Sequence, residues 1–147
     1  MNVQHILVPM DFSSDAEKAL DCAVGLAQQF QARLTLLHVI YIPVTTEVNL
    51  SSYFTELEAG AEQGMETYRK RAEGEGLTVD TVIIQGTPFR EIVETAKTKQ
   101  VDLIVMGTHG RTGMTHLLMG SVAERVVRLA PCPVMVTREK AKNETAS

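Results

Sequence analysis

The sequence predicts an α/β fold, with one open sheet of parallel strands and helices on both faces. Three observations carry this. Short apolar runs alternate with stretches of helical periodicity along the whole chain. The run LTLLHVI at 34–40 is apolar at nearly every position, as a strand covered on both faces must be. The glycine-rich segment MGTHGRTGMTHLLMGS at 106–121 joins an apolar run (101–105) to a helical pattern (122–130). Such a strand-to-helix connection is where a sheet of this kind holds a ligand.

The first strand is read over 5–9, on ILVP. In the following MDFSSDAE, Ser14 and Glu17 have capping-box spacing. Ala16, Leu20, Ala23, Val24 and Ala27 then recur at helical intervals. A second strand is predicted over 33–40. Residues 41–52 show no clear period and contain Pro43, which predicts a long loop. Tyr53, Leu57, Ala61, Met65, Tyr68 and Ala72 mark one face of a second helix ending near Gly74 and Gly76. After a third strand over 78–84, Gly86-Thr87-Pro88 reads as turn, N-cap and first helical position. Phe89, Ile92, Val93 and Ala96 give the buried side of the third helix. A fourth strand (102–106), a fourth helix (121–130) and a fifth strand (133–137) complete the pattern. Right-handed crossovers and short connections favour a doubly wound order. We read one domain over residues 1–140 and a polar tail over 141–147, within the frayed REKAKNETAS.

The bulk numbers narrow the function. A chain of 147 residues suits one domain with a full core. Its 14 basic and 18 acidic residues give a net charge of −4, which argues against nucleic acid or an anionic membrane as the main partner. No apolar run approaches the ~20 residues that span a bilayer. The N-terminus enters a strand with no basic and apolar leader pattern, so a cytoplasmic protein is expected. Cys22 and Cys132 form no CxxC pair, and buried free thiols are expected rather than a zinc site or a disulfide.

Gly107, Gly110 and Gly120 are the candidate phosphate cradle. Glycine lets a backbone come close to a ligand, and the first N–H groups of the following helix supply donors and partial positive charge. Neither GxGxxG nor GxxxxGK[ST] is present, so the dinucleotide fingerprint and the Walker A loop do not apply. Glycines that merely make a turn are the competing explanation. Asp11, just past the first strand, would repel phosphate at that spot but suits ribose hydroxyls as an acceptor. It also suits a cap for the first helix, and the two roles are compatible.

These residues resemble the universal stress proteins. The nucleotide-binding pattern of that family, Gly-x2-Gly-x9-Gly-Ser/Thr, is met by Gly107, Gly110, Gly120 and Ser121. VPMD at 8–11, LHVI at 37–40, QGTP at 85–88 and APCPVMV at 130–136 resemble other family segments, so the likeness covers nearly the whole chain. It implies the adenine-nucleotide hydrolase-like, Rossmann-like sheet with strand order 3-2-1-4-5, and ATP or a related adenine nucleotide as ligand, with Mg²⁺ as a candidate companion. Carried over by position, Pro9, Met10 and Asp11 flank the adenosine, with Asp11 on the ribose, and the backbone of Val39 meets the adenine. Met106, Gly107, Gly110, Gly120, Ser121 and Val122 line the phosphates. Ser121 also offers its hydroxyl to a terminal phosphate or to Mg²⁺. His109, Arg111 and His116 lie inside the loop but outside the motif. Arg111 suits either a phosphate or solvent, and a surface role is expected for the two histidines.

A regulatory nucleotide-binding module is therefore expected, with slow ATP hydrolysis at the same site as the alternative. The loop holds no lysine, and no paired carboxylates or nucleophile–base spacing stand beside it. The apolar PVMVT at 133–137, at a sheet edge in the implied order, predicts a homodimer through the last strand.

Overall fold

The computed structural model describes residues 2–41, 51–108 and 119–138. Its elements run β1 (His5–Pro9), α1 (Ser14–Phe30), β2 (Arg33–Tyr41), α2 (Ser51–Glu73), β3 (Val79–Gly86), α3 (Pro88–Thr98), β4 (Leu103–Gly107), α4 (Ser121–Leu129) and β5 (Val134–Thr137). The strands form one sheet in the order β3-β2-β1-β4-β5, and every pair is parallel. Asp80, Thr35, Leu7, Ile104 and Val134 stand in one row across it. Of the predicted loop, Tyr41 belongs to β2 and Ser51 and Ser52 to α2, while 42–50 lies outside the described residues. The tail beyond Arg138 does so too.

Two cores form because successive strand residues point to opposite faces. Ile6, Val8, Leu34, Leu36, Leu103 and Val105 face α1 and α2, where Ala19, Leu20, Ala23, Met65 and Ala72 meet them. Leu7, Leu37, Ile104 and Met106 face α3 and α4, against Ile92, Ala96, Ala123 and Val126. Ile6 and Leu7 are adjacent and both fully buried. Each such side chain adds roughly 1.5–3 kcal/mol by leaving water, which is why the strand sequences lack polar alternation. The alanines of α1 let that helix lie close to the sheet.

Three local expectations change. The cap of α1 is Ser13, not Ser14: the Ser13 hydroxyl accepts from the Ala16 N–H at 3.1 Å. Asp11 decides the matter, because its Oδ1 accepts from the Ser13 N–H at 3.0 Å and from the Ser13 hydroxyl at 2.5 Å. Glu17 is then not a box partner, and its Oε1 accepts from the Tyr68 hydroxyl at 2.6 Å. On α2, Ala61, Met65 and Ala72 are buried as expected, but Tyr53 and Leu57 are 53% and 37% exposed. The two cysteines are free but only half-buried, Cys22 lying beside Met135 with Sγ to Sδ at 3.7 Å. Burial, aided by the charge of Asp102, pushes the Cys132 thiol above its usual pKa.

His5 is a buried polar residue within β1. Its Nδ1–H donates to the Lys99 carbonyl at 3.3 Å, and its Nε2 accepts from the Thr35 hydroxyl at 2.6 Å. That pairing uses the neutral ring. Burial, and then the nearby Arg33 charge, hold its pKa below the usual 6.5. The unfolded chain therefore binds this proton more readily, and stability rises with pH between the folded and unfolded values. Denaturant titrations should show the contribution intact above 6.5, declining as pH falls through it, and level below the folded-state value. His5→Gln should flatten that part of the profile; an unchanged slope would contradict the assignment.

Candidate functional site

The carboxyl ends of β1, β2 and β4 open into a cavity of about 510 Å³, within the range usual for small-molecule sites. Its position follows from the strand order. β1 connects to a helix on one face and β4 to a helix on the other, so the strand ends part at the switch point.

β1 delivers Pro9, Met10 and Asp11 to this cavity. The Met10 N–H donates to the Leu37 carbonyl at 2.7 Å, which extends the pairing with β2 past the strand end. The Met10 carbonyl in turn accepts from His38 Nδ1–H at 2.6 Å. Asp11 then starts a tight turn through Phe12, whose φ is +65°, and fixes Ser13 as the cap of α1. Both Ser13 bonds fall on Oδ1 and neither uses Oδ2.

β4 ends in Met106 and Gly107, followed by Thr108. Gly107 is small for a reason the sequence did not reveal. A Cβ there would stand 2.8 Å from Asp15 Cβ and 2.9 Å from its carbonyl carbon and oxygen. The glycine admits the first turn of α1, whatever it also offers a ligand. Gly120 is the N-cap of α4 at φ −65°, so its conformation demands no positive φ. Its N–H donates to the Thr108 carbonyl at 2.8 Å, pinning together the two ends of the glycine-rich connection. The first bond within α4 runs from the Glu124 N–H to the Gly120 carbonyl. The N–H groups of Ser121, Val122 and Ala123 come before it and have no intrahelical acceptor. All three residues line the cavity.

Nine of the ten residues singled out from the sequence thus share one cavity: Pro9, Met10, Asp11, Val39, Met106, Gly107, Gly120, Ser121 and Val122. Gly110, with His109, Arg111 and His116, lies outside the described residues. Sequence reasoning missed Ser13, Tyr41, Pro88, Ile92 and Thr108, which also line it. Ser13 and Thr108 sit within two residues of Asp11 and Gly107, and that proximity was a usable signal. Tyr41, Pro88 and Ile92 enter through the topology, which places the end of β2 and the start of α3 beside β1. The walls are largely apolar, and among the described residues Asp11 is the only charged one in the lining. Among the described residues, no group of three or more His, Cys, Asp or Glu is gathered for a metal ion. No helix of the described residues is long and apolar enough to cross a membrane.

Fold and cavity together define an α/β domain with an open cavity at the carboxyl ends of its strands. The family model described as "Universal stress protein family" matches residues 2–138, and the chain belongs to that family. It is 35% identical to universal stress protein MJ0531 of Methanocaldococcus jannaschii over 141 residues, covering 93% of this chain and 83% of that protein. The structure of universal stress protein UspA from Lactobacillus plantarum superposes with a TM-score of 0.85 at 33% identity, covering 94% of this chain and 99% of the other. Two more distant structures attest the shared fold. One is a universal stress protein in complex with cAMP (TM-score 0.73, 22% identity, 94% of this chain and 98% of that one). The other is a family protein from Arabidopsis thaliana with AMP bound (TM-score 0.72, 19% identity, 94% and 93%).

Proposed function

We propose that this universal stress protein binds an adenine nucleotide, ATP in the first place, and works in the cytoplasm as a homodimeric regulatory module of the stress response. One observation carries the ligand: a single apolar cavity has a carboxylate at one strand end and an uncapped helix N-terminus at the next. An adenine nucleotide has the complementary parts. Its flat base suits the apolar wall at Val39, its ribose hydroxyls suit Asp11 as acceptor, and its phosphates suit the N–H groups of Ser121 and Val122. The adenine nucleotides named with the two distant relatives support the same class of ligand. ATP in particular rests on the full glycine pattern through Gly120 and Ser121. Mg²⁺ would arrive with the phosphates and take the Ser121 hydroxyl, since the described residues gather no acidic cluster of their own.

Slow hydrolysis of ATP is the alternative. Binding is favoured because Asp11 is the only carboxylate lining the cavity among the described residues and its Oδ1 is engaged by Ser13. Among the described residues, no histidine lines the cavity as a base.

The dimer rests on the sheet edge. Ile104 N–H donates to the Pro133 carbonyl, so by the alternation of a parallel ladder Val134 and Val136 turn their own N–H and C=O groups outward. An edge of this kind invites a second copy of the chain. Met135, Val127 and Leu129 are exposed on β5 and the neighbouring α4.

Calorimetry should show that Asp11→Ala weakens ATP by the roughly 1.5–3 kcal/mol of a hydrogen bond to a charged acceptor, and weakens 2′,3′-dideoxy-ATP far less. Equal losses would remove Asp11 from the ribose. Sedimentation of the wild-type chain at micromolar concentration should give a dimer, and Val136→Pro, which deletes an outward donor, should shift it toward monomer. A monomeric wild type would sink the interface.

A further inference from the structure

Phe12 holds a backbone conformation that a bulky side chain seldom adopts: φ is +65°. Such strain persists only where the surroundings over-determine it, and here they do. The Phe12 ring lies 4.6 Å from the His38 ring and stacks on Tyr68 at 6.1 Å. Helix α2 passes so near that a Cβ at Gly64 would stand 2.7 Å from Phe12 Cε1. The Tyr68 hydroxyl donates to Glu17 at 2.6 Å, which fastens α2 to α1 behind the ring. His38 also holds the Met10 carbonyl at 2.6 Å. Of the residues on either side of Asp11, Met10 is therefore gripped from β2, and Phe12 from both β2 and α2.

We infer that Phe12, clamped by His38, Gly64 and Tyr68, is a positioning residue that aims the Asp11 carboxylate into the cavity. The ring does not line the cavity itself. It fixes the left-handed turn in which Asp11 spends Oδ1 on Ser13, and so presents Oδ2 to the ligand in one orientation. A carboxylate set in advance needs no ordering when a ribose arrives. The clamp also makes α2 part of the ribose site, although α2 contributes no lining residue. This inference rests on the nucleotide reading above.

The test compares Gly64→Ala with Gly60→Ala. Both substitutions fall inside α2, but a Cβ at Gly60 meets nothing within 4 Å, so only Gly64→Ala moves the Phe12 ring. Calorimetry of the full chain should show ATP weakened about tenfold in Gly64→Ala, the size expected when a hydrogen bond to a charged acceptor is lost. 2′,3′-Dideoxy-ATP should change far less, and Gly60→Ala should change neither. Phe12→Ala should repeat the Gly64→Ala pattern. Amide exchange at Ser13 should accelerate in Gly64→Ala and Phe12→Ala alone, a change that does not depend on any nucleotide. Equal losses for the two nucleotides, or unchanged affinity with unchanged Ser13 exchange, would overturn the positioning role while leaving the nucleotide reading intact. A wild-type chain that binds neither nucleotide would overturn both.

Discussion

The contact between Gly107 and the first turn of α1 sets the geometry on which the site depends. With a Cβ of position 107 only 2.8–2.9 Å from Asp15, no other residue fits without moving the helix. Inserting atoms into a packed contact of this kind typically costs about 1–3 kcal/mol. β1 and β4 are neighbours at the centre of the sheet. Seating α1 against the end of β4 therefore brings Asp11 and Ser13 beside Gly120 and the start of α4. Two chain segments about a hundred residues apart in sequence become the walls of one cavity.

Electrostatics then sorts the two helix starts. α1 begins at Ser13, its cap held by the Asp11 carboxylate, so that end already has its negative charge. α4 begins at Gly120, which offers no side-chain cap. Its first N–H groups have no acceptor within the helix and carry partial positive charge. Among the described residues, the cavity is thus polarised by a carboxylate and a helix start, with no lysine or arginine lining it.

Much of this was legible in the sequence, for identifiable reasons. The strands were readable because burial on both faces makes them continuously apolar, as in Ile6–Leu7–Val8. The placement of Asp11 and Gly120 at the cavity was readable because a strand end and a helix start are local features. The exchange of Ser14 for Ser13 as cap was not, since both serines suit the position and only the Asp11 bonds choose between them. Tyr53 and Leu57 show another limit. Helical periodicity tells which side of α2 faces inward, not how far the sheet extends beneath it. The reason for Gly107 and the clamp on Phe12 both lie in long-range contacts, with Asp15 and with Gly64, that no short window contains.

A ligand held between the two helix starts would bind the folded chain alone and stabilise it by mass action. Nucleotide binding is tested most simply by purifying the protein gently, denaturing it, and identifying what it releases by mass spectrometry. An adenine nucleotide is expected, recovered in an amount comparable to that of the protein, or taken up to that level once ATP is supplied. Release of no nucleotide, together with no uptake of added ATP, would contradict it.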